Sequence, residues 1–236
     1  GVVAPERAVA RDFERATQMA RDMVTRYGMS EALGDFLARN LSSWSVLADA
    51  EALAEAPSAR AMREDLLLAV GAVPGLDQPV AASDGEAVLD SLRIAYRRVL
   101  LGIAARDLSG LAPMDTIAAW LSDLADAVLE AALAGARAGV GDEYATCRFA
   151  VVGMGKCGAH ELNYVSDVDV IFVAEPVDGA DEARALSAAT SLAMGLMPAG
   201  IDATPYTLTR HVAPPIPAGR GRGALAWSLR CRLTRR

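Results

Sequence analysis

Lysine is nearly absent from this chain. Of its 23 basic residues, 22 are Arg and a single one, Lys156, is Lys. Histidine occurs twice and cysteine three times, at Cys147, Cys157 and Cys231. The cysteines have neither zinc-finger nor disulfide spacing, and an odd count with no export leader points to a reducing cytoplasm. No apolar run is long enough to span a bilayer: LLLAVGAVPGL is short and ends at Asp77. Acid is missing altogether after Asp202. Residues 1–202 carry 16 basic and 30 acidic side chains, and residues 203–236 carry seven Arg and no acid, for a net charge of -7. That acidic balance argues against non-specific binding to nucleic acid. The 53% of hydrophobic residues over 236 positions is enough to bury a core and excludes a disordered chain.

The first 140 residues read as helix after helix. Apolar residues recur at helical spacing from Pro5 to Tyr27, with Gly28 as a stop, and a short helix follows Ser30. The spacing predicts another from about Ser45 to Ala56. Ser58 is the cap of the next, which carries Met62, Leu66, Leu67 and Val70 and ends near Gly71. GAVPGLDQPVAASDGE has the composition of a loop. A long helix runs from about Glu86 to Leu108, with Leu92, Tyr96, Val99 and Ile103 on one side. Pro113 starts the last, through Ile117, Trp120, Leu121, Leu124, Val128 and Leu129. This region shows no catalytic cluster.

At about residue 147 the period changes. RFAVVG and VDVIFVAE read as short buried strands, GMGKCGAHELNYVSD between them as a turn-forming segment, and 181–197 as a helix. The strands Arg148–Gly153 and Val168–Ala174 should be adjacent and antiparallel, because the link is too short for a parallel crossover. Gly153, Gly155 and Gly158 spell G-x-G-x-x-G, but only nine residues separate Gly158 from Val168, too few for a dinucleotide-binding unit. A P-loop fails as well, because Cys157 stands where a Ser or Thr metal ligand belongs. A nucleotidyl-transfer site fits better. Asp167 and Asp169 are two apart at the start of a strand, so both carboxylates share one face. Two like charges so close repel, and a bound Mg²⁺ relieves that repulsion. The glycines let backbone N–H groups approach a phosphate, and Lys156 adds a positive charge.

The run GMGKCGAHELNYVSDVDVIFV closely resembles the first nucleotidyltransferase motif of the bacterial bifunctional glutamine synthetase adenylyltransferase/adenylyl-removing enzymes, in their actinobacterial form. YRRVLLGIAARDLSG, LSDLADAVLEAAL and SEALGDFLARNLSSWSVL resemble the helical segments before that motif, so the likeness covers about residues 5–197. The resemblance implies a regulator of nitrogen assimilation in the cytoplasm. One domain of the family adenylylates a tyrosine of glutamine synthetase with ATP, and the other removes AMP by phosphorolysis, yielding ADP. This wording is most like the N-terminal, AMP-removing copy. By that likeness Asp167 and Asp169 are the catalytic Mg²⁺ ligands, Gly153, Gly155, Lys156 and Ser166 line the nucleotide and phosphate side, and Asn163 and Ser166 brace the turn. The implied partners are glutamine synthetase and, in the full-length family, a nitrogen-signalling regulatory protein; neither nucleic acid nor membrane is expected.

The expected fold is α+β: a helical domain over 1–146, a partial nucleotidyltransferase domain with a mixed sheet over 147–202, and an irregular basic tail over 203–236. The family's third carboxylate lies in an Asp-x-Arg-Leu-Arg-Pro-like run. The nearest acid here is Asp202, and no such run follows it. The tail holds four of the eleven prolines, and its Ala, Arg, Gly and Pro composition is that of GC-rich DNA read out of frame. Two functions therefore stay open: Mg²⁺-dependent nucleotidyl chemistry on glutamine synthetase, or a truncated, inactive remnant that serves as a docking module.

Overall fold

The structure is a computed structural model. It describes residues 39–40, 43–164, 166 and 168–196, and the backbone of Leu208–Thr209. The two helices expected before residue 38 and nearly all of the basic tail, with Asp202, lie outside the described residues. The chain is α+β, with helices to residue 140 and a small sheet after it. No helix among the described residues is long and apolar enough to cross a membrane.

The helix expected over Ser45 to Ala56 is two helices, α1 (Trp44–Ala48) and α2 (Ala50–Ala54). The break is at Asp49. Its backbone is extended, and its carboxylate accepts a 2.9 Å hydrogen bond from Ala52 N, so it caps the second helix instead of continuing the first. Arg106 closes the other end of α2, donating to Ala52 O at 2.8 Å and to Glu55 O at 2.9 Å. These are carbonyls that a helix terminus leaves without an intrahelical partner.

Helix α3 (Ala59–Ala69) starts at Ser58, whose hydroxyl accepts from Ala61 N at 3.1 Å. Gly71, at φ +74°, lets Ala72 N reach back to Leu67 O and end it. Helix α4 (Glu86–Leu108) buries Val88, Leu92, Leu101 and Ile103, while Tyr96 and Val99 are partly buried against the same core. Helix α5 (Met114–Val140) follows Pro113 and buries Ile117, Leu121, Leu124 and Val128. Its second half is rich in Ala and Gly, so its neighbours approach closely. A methyl group placed on Gly135 would lie 2.9 Å from Val88.

Polar contacts tie α3 to α5 and hold the loop that leads from α3 to α4. Arg63 on α3 forms a two-pronged pair with Glu130 on α5, both bonds 2.6 Å, and donates to Pro74 O at 2.7 Å. Arg137 is buried on α5 and donates to Pro79 O at 3.0 Å, anchoring the loop between α3 and α4. Burial pushes its pKa down, and the nearby Glu130, Tyr144 and Cys147 pull it back.

After a 3₁₀ turn (Gly141–Thr146) comes strand β1 (Cys147–Gly153), which pairs antiparallel with β2 (Val170–Pro176) in the register Arg148↔Glu175 and Gly153↔Val170. The antiparallel pairing is the one that the short link requires. The second strand starts at Val170, two residues later than expected. Phe149 and Phe172 stack across the pair with centroids 5.6 Å apart, and Arg148 meets Glu175 at 2.7 Å. The backbone of β3 (Leu208–Thr209) pairs in parallel with Val170 and Ile171, which makes the sheet mixed.

One further short helix, α6 (Gly155–Ala159), lies between the two strands. Helix α7 (Glu182–Leu196) returns to pack on α5 and on both strands. Its buried face is Ala185, Ala188, Ala189, Leu192 and Leu196. A methyl on Gly195 would lie 2.8 Å from Ala136 on α5. The buried side chains from Met62 to Leu196 form one contiguous core, shared by the helices and the sheet.

Candidate functional site

The glycine-rich segment leaves the sheet at Gly153. Met154 is still extended, and its N–H donates to Asp169 O at 2.8 Å, one step beyond the strand ladder. Gly155 then turns the chain at φ +51°, a region that side chains with a Cβ rarely adopt. The segment expected to form turns here forms one turn of helix, α6, with Gly158 N donating to Met154 O at 2.8 Å. The helix ends on His160 in the left-handed region at φ 61°, the one non-glycine residue with positive φ among those described. Glu161 N donates to Lys156 O at 2.8 Å, the bond that closes a helix around a left-handed residue.

The three glycines have different tasks. Gly155 makes the turn and leaves room: a Cβ there would sit 3.5 Å from Asp169 Oδ2. At Gly153 a Cβ would press on Cys157 Sγ at 3.3 Å. At Gly158 it would lie 2.8 Å from the carbonyl oxygen of Gly153. The third glycine is therefore a packing residue that seats α6 against the end of β1. Gly158→Ala is expected to lower stability by about 1–3 kcal/mol, since backbone meets backbone and neither side yields cheaply. Denaturant unfolding measures this, and an unchanged midpoint would refute the packing role.

Asp169 is exposed just before the first residue of β2, beside Gly155, and Lys156 is exposed on α6. Among the described residues, neither side chain makes a hydrogen bond or ion pair. An open, unpaired carboxylate is a hard oxygen donor of the kind that Mg²⁺ takes, with water and phosphate filling the rest of its shell. The residues present suit that ion in charge and donor type. Asp167, the other expected ligand, lies outside the described residues. Among those described, no three His, Cys, Asp or Glu side chains form a group that could hold a metal.

Ser166, expected on the nucleotide side, donates its hydroxyl to Asn163 Oδ1, so the two residues close a small turn together. Gly153 and Gly155 flank Met154 at the turn, and Lys156 follows.

Sequence reasoning missed the groups that face this segment from the long helices. Asp123 and Asp126 on α5 lie over α6: Asp123 Oδ1 is 3.7 Å from His160 Nδ1, and Asp126 Oδ1 is 3.9 Å from Cys157 Sγ. Cys157 is fully buried. Ser122 on α5 accepts a hydrogen bond from Leu162 N at 3.3 Å, and Tyr164 donates to Asp107 Oδ2 on α4 at 2.8 Å. Helical spacing marks Ser122, Asp123 and Asp126 as polar positions on a helix. It carries no signal for what lies opposite them.

The family model described as glutamate-ammonia ligase adenylyltransferase matches residues 20–199. A Streptomyces avermitilis protein named bifunctional glutamine synthetase adenylyltransferase/adenylyl-removing enzyme is 48% identical over 170 residues, covering 72% of this chain and 15% of that protein. The Streptomyces coelicolor protein of the same name is 47% identical over 173 residues, covering 72% and 16%. A third, from Leifsonia xyli subsp. xyli, is 42% identical over 199 residues, covering 77% and 19%. The chain thus spans less than a fifth of the length of these relatives. The residues matched by the family model hold the glycine turn, Asp169 and the helices behind them, and on that match the chain belongs to the glutamate-ammonia ligase adenylyltransferase family.

Proposed function

We propose that this chain carries the AMP-removing half of the family's chemistry: Mg²⁺-dependent phosphorolysis of a tyrosyl-AMP on glutamine synthetase. The observation that carries the reading is the open Asp169 carboxylate lying against Gly155, at the end of an antiparallel strand pair. Asp169, with Asp167, would hold the ion. When bound, Mg²⁺ supplies charge neutralisation and alignment at phosphorus. Gly155 leaves space for a phosphate to approach the backbone, and Lys156 would pair with its charge.

In this reading an oxygen of inorganic phosphate attacks the phosphorus of the tyrosyl-AMP. The bond from phosphorus to the tyrosine oxygen breaks, ADP forms, and the tyrosine oxygen takes a proton. Phosphate is already anionic, so positioning and charge neutralisation do most of the work and no strong general base is needed. The family's opposing reaction, adenylylation of the tyrosine by ATP with release of pyrophosphate, would call on the same class of site. The proposed setting is the cytoplasm, under a nitrogen-signalling regulatory protein.

The test is to mix the chain with adenylylated glutamine synthetase, phosphate and Mg²⁺ and to measure ADP. ADP formation that requires both phosphate and Mg²⁺ supports the reading. Binding to glutamine synthetase without any ADP would favour the docking role instead.

A further inference from the structure

We propose that Met154 is a specificity-determining residue of the candidate site. With Val152 and Ile171 it forms an apolar bed for the phenolic ring of a tyrosyl phosphoester whose phosphate lies at Asp169. This rests on the cation reading of Asp169 given above, and it assigns a role to side chains which that reading leaves unused.

The two long strands turn one face to the core. Cys147 and Val170 are buried in it, and Phe149, Val151, Phe172 and Ala174 pack against it. Gly153 belongs to the same face, since a Cβ there would press on the buried Cys157. The residues between these point the other way, by the period of two. On that second face Val152 lies across from Ile171, Ala150 from Val173 and Arg148 from Glu175. Met154 and Asp169 add one more row to it. Met154 is still extended, at φ −113° and ψ 178°, and its N–H donates to Asp169 O at 2.8 Å. Asp169 therefore shares its row with Met154, and the next two rows are apolar. The ion pair of Arg148 with Glu175 closes the far end.

An antiparallel pair with one face on the core commonly carries polar residues on the other. Here the second face has Val152, Ile171, Ala150 and Val173, all half-buried, beside an exposed carboxylate. Met154 is 43% exposed at the same edge. Its thioether is unbranched and polarisable, which suits it to lie against an aromatic ring. Gly155 keeps the approach open, because it puts no side chain beside Asp169 Oδ2. A tyrosyl-AMP has two rings, and their distances from phosphorus differ. The phenolic ring is joined to phosphorus through one oxygen, whereas adenine is joined through the whole ribose. Side chains opposite each other in an antiparallel pair have Cβ atoms about 4.5–5.5 Å apart. Met154 is thus a close neighbour of the carboxylate, and the nearer ring is the one that reaches it while the phosphate stays at Asp169.

The experiment uses the full 236-residue chain with Mg²⁺ and no inorganic phosphate, and it measures binding by equilibrium dialysis. The probes are the phenyl ester and the methyl ester of AMP, which differ only in the group that stands for tyrosine. The phenyl ester should bind about tenfold more tightly, the worth of burying roughly half of one aromatic ring. Met154→Ala should bring the two esters to near parity with the circular dichroism unchanged, and Met154→Leu, which keeps the apolar bulk, should retain most of the preference. Equal binding of the two esters by the wild-type chain, with both lost in Asp169→Asn, would overturn the ring bed alone. Full preference in Met154→Ala would overturn the role of Met154, and a Met154→Leu variant as indifferent as Met154→Ala would show that apolar bulk is not what acts. A Met154→Ala variant that loses both esters equally would place adenine, not tyrosine, on this face and overturn the assignment. A wild-type chain that binds neither ester, or an Asp169→Asn variant that binds both normally, removes the cation reading and the ring bed with it.

Discussion

Asp169→Asn is expected to abolish divalent-cation binding while leaving the fold in place. Asparagine has the shape of aspartate but offers no anionic oxygen, so the ion loses a charge-bearing ligand. Loss of a mere supporting group costs about 10–100-fold in metal affinity, and loss of a direct ligand should exceed the upper end of that range. The fold should not notice. The Asp169 side chain is exposed, and the bond that ties this residue to Met154 uses its backbone oxygen. Exposed substitutions of this kind usually change stability by no more than about 0.5 kcal/mol. Calorimetric titration with Mg²⁺ or Mn²⁺, run beside thermal unfolding, checks both halves. The same loss of cation binding is expected of Asp167→Asn. Unchanged affinity in the double variant would sink the site assignment outright.

The surroundings of the two expected carboxylates, Asp167 and Asp169, were partly legible before any coordinates, and Asp169 is the one of the two among the described residues. The D-x-D spacing at a strand start, the glycine run before it and the short link between the strands were all local features. Local features survive in sequence: Ser58 capping α3, Gly71 ending it and Pro113 opening α5 were each readable from residue type alone. The antiparallel pairing was readable for a geometric reason, the length of the link. Asp49 was not, because its side chain competes with the backbone. An isolated acid inside a helical pattern looks like one more exposed position until the chain bends around it. Gly158 completes a G-x-G-x-x-G pattern that the short link already rules out as a dinucleotide fingerprint, and its task, close packing on the Gly153 carbonyl, had no signal in sequence. The partners of Leu162 and Tyr164 could not be read at all. They come from helices 40 and 57 residues away, and periodicity identifies a buried face without naming its counterpart.

Leu192→Ala should have the largest effect on stability, and it should fall on the whole molecule. Leu192 is 1% exposed and sits in the middle of the buried face of α7, which touches α5 and both long strands. Large-to-small changes at such positions cost about 2–5 kcal/mol, depending on how far the surroundings collapse into the space. Here the surroundings collapse poorly. The buried neighbours on α7 include Ala185, Ala188 and Ala189, the buried run on α5 includes Ala131, Ala132 and Ala136, and Gly195 already holds the two helices in close contact. Alanine has no flexible side chain to swing into a hole, so the upper half of that range is expected. For a chain of 150–250 residues each kcal/mol lowers the melting temperature by roughly 2–4 °C. The distribution of the loss is the more telling measurement. Because the core runs without interruption from Met62 to Leu196, opening at Leu192 should unlock the helices and the sheet together. Amide hydrogen exchange should then quicken by similar factors in α4, α5 and β1. If exchange quickens in β1, β2 and α7 alone while α4 keeps its protection, the segment after residue 146 unfolds as a separate unit, and the shared core does not make the chain cooperative.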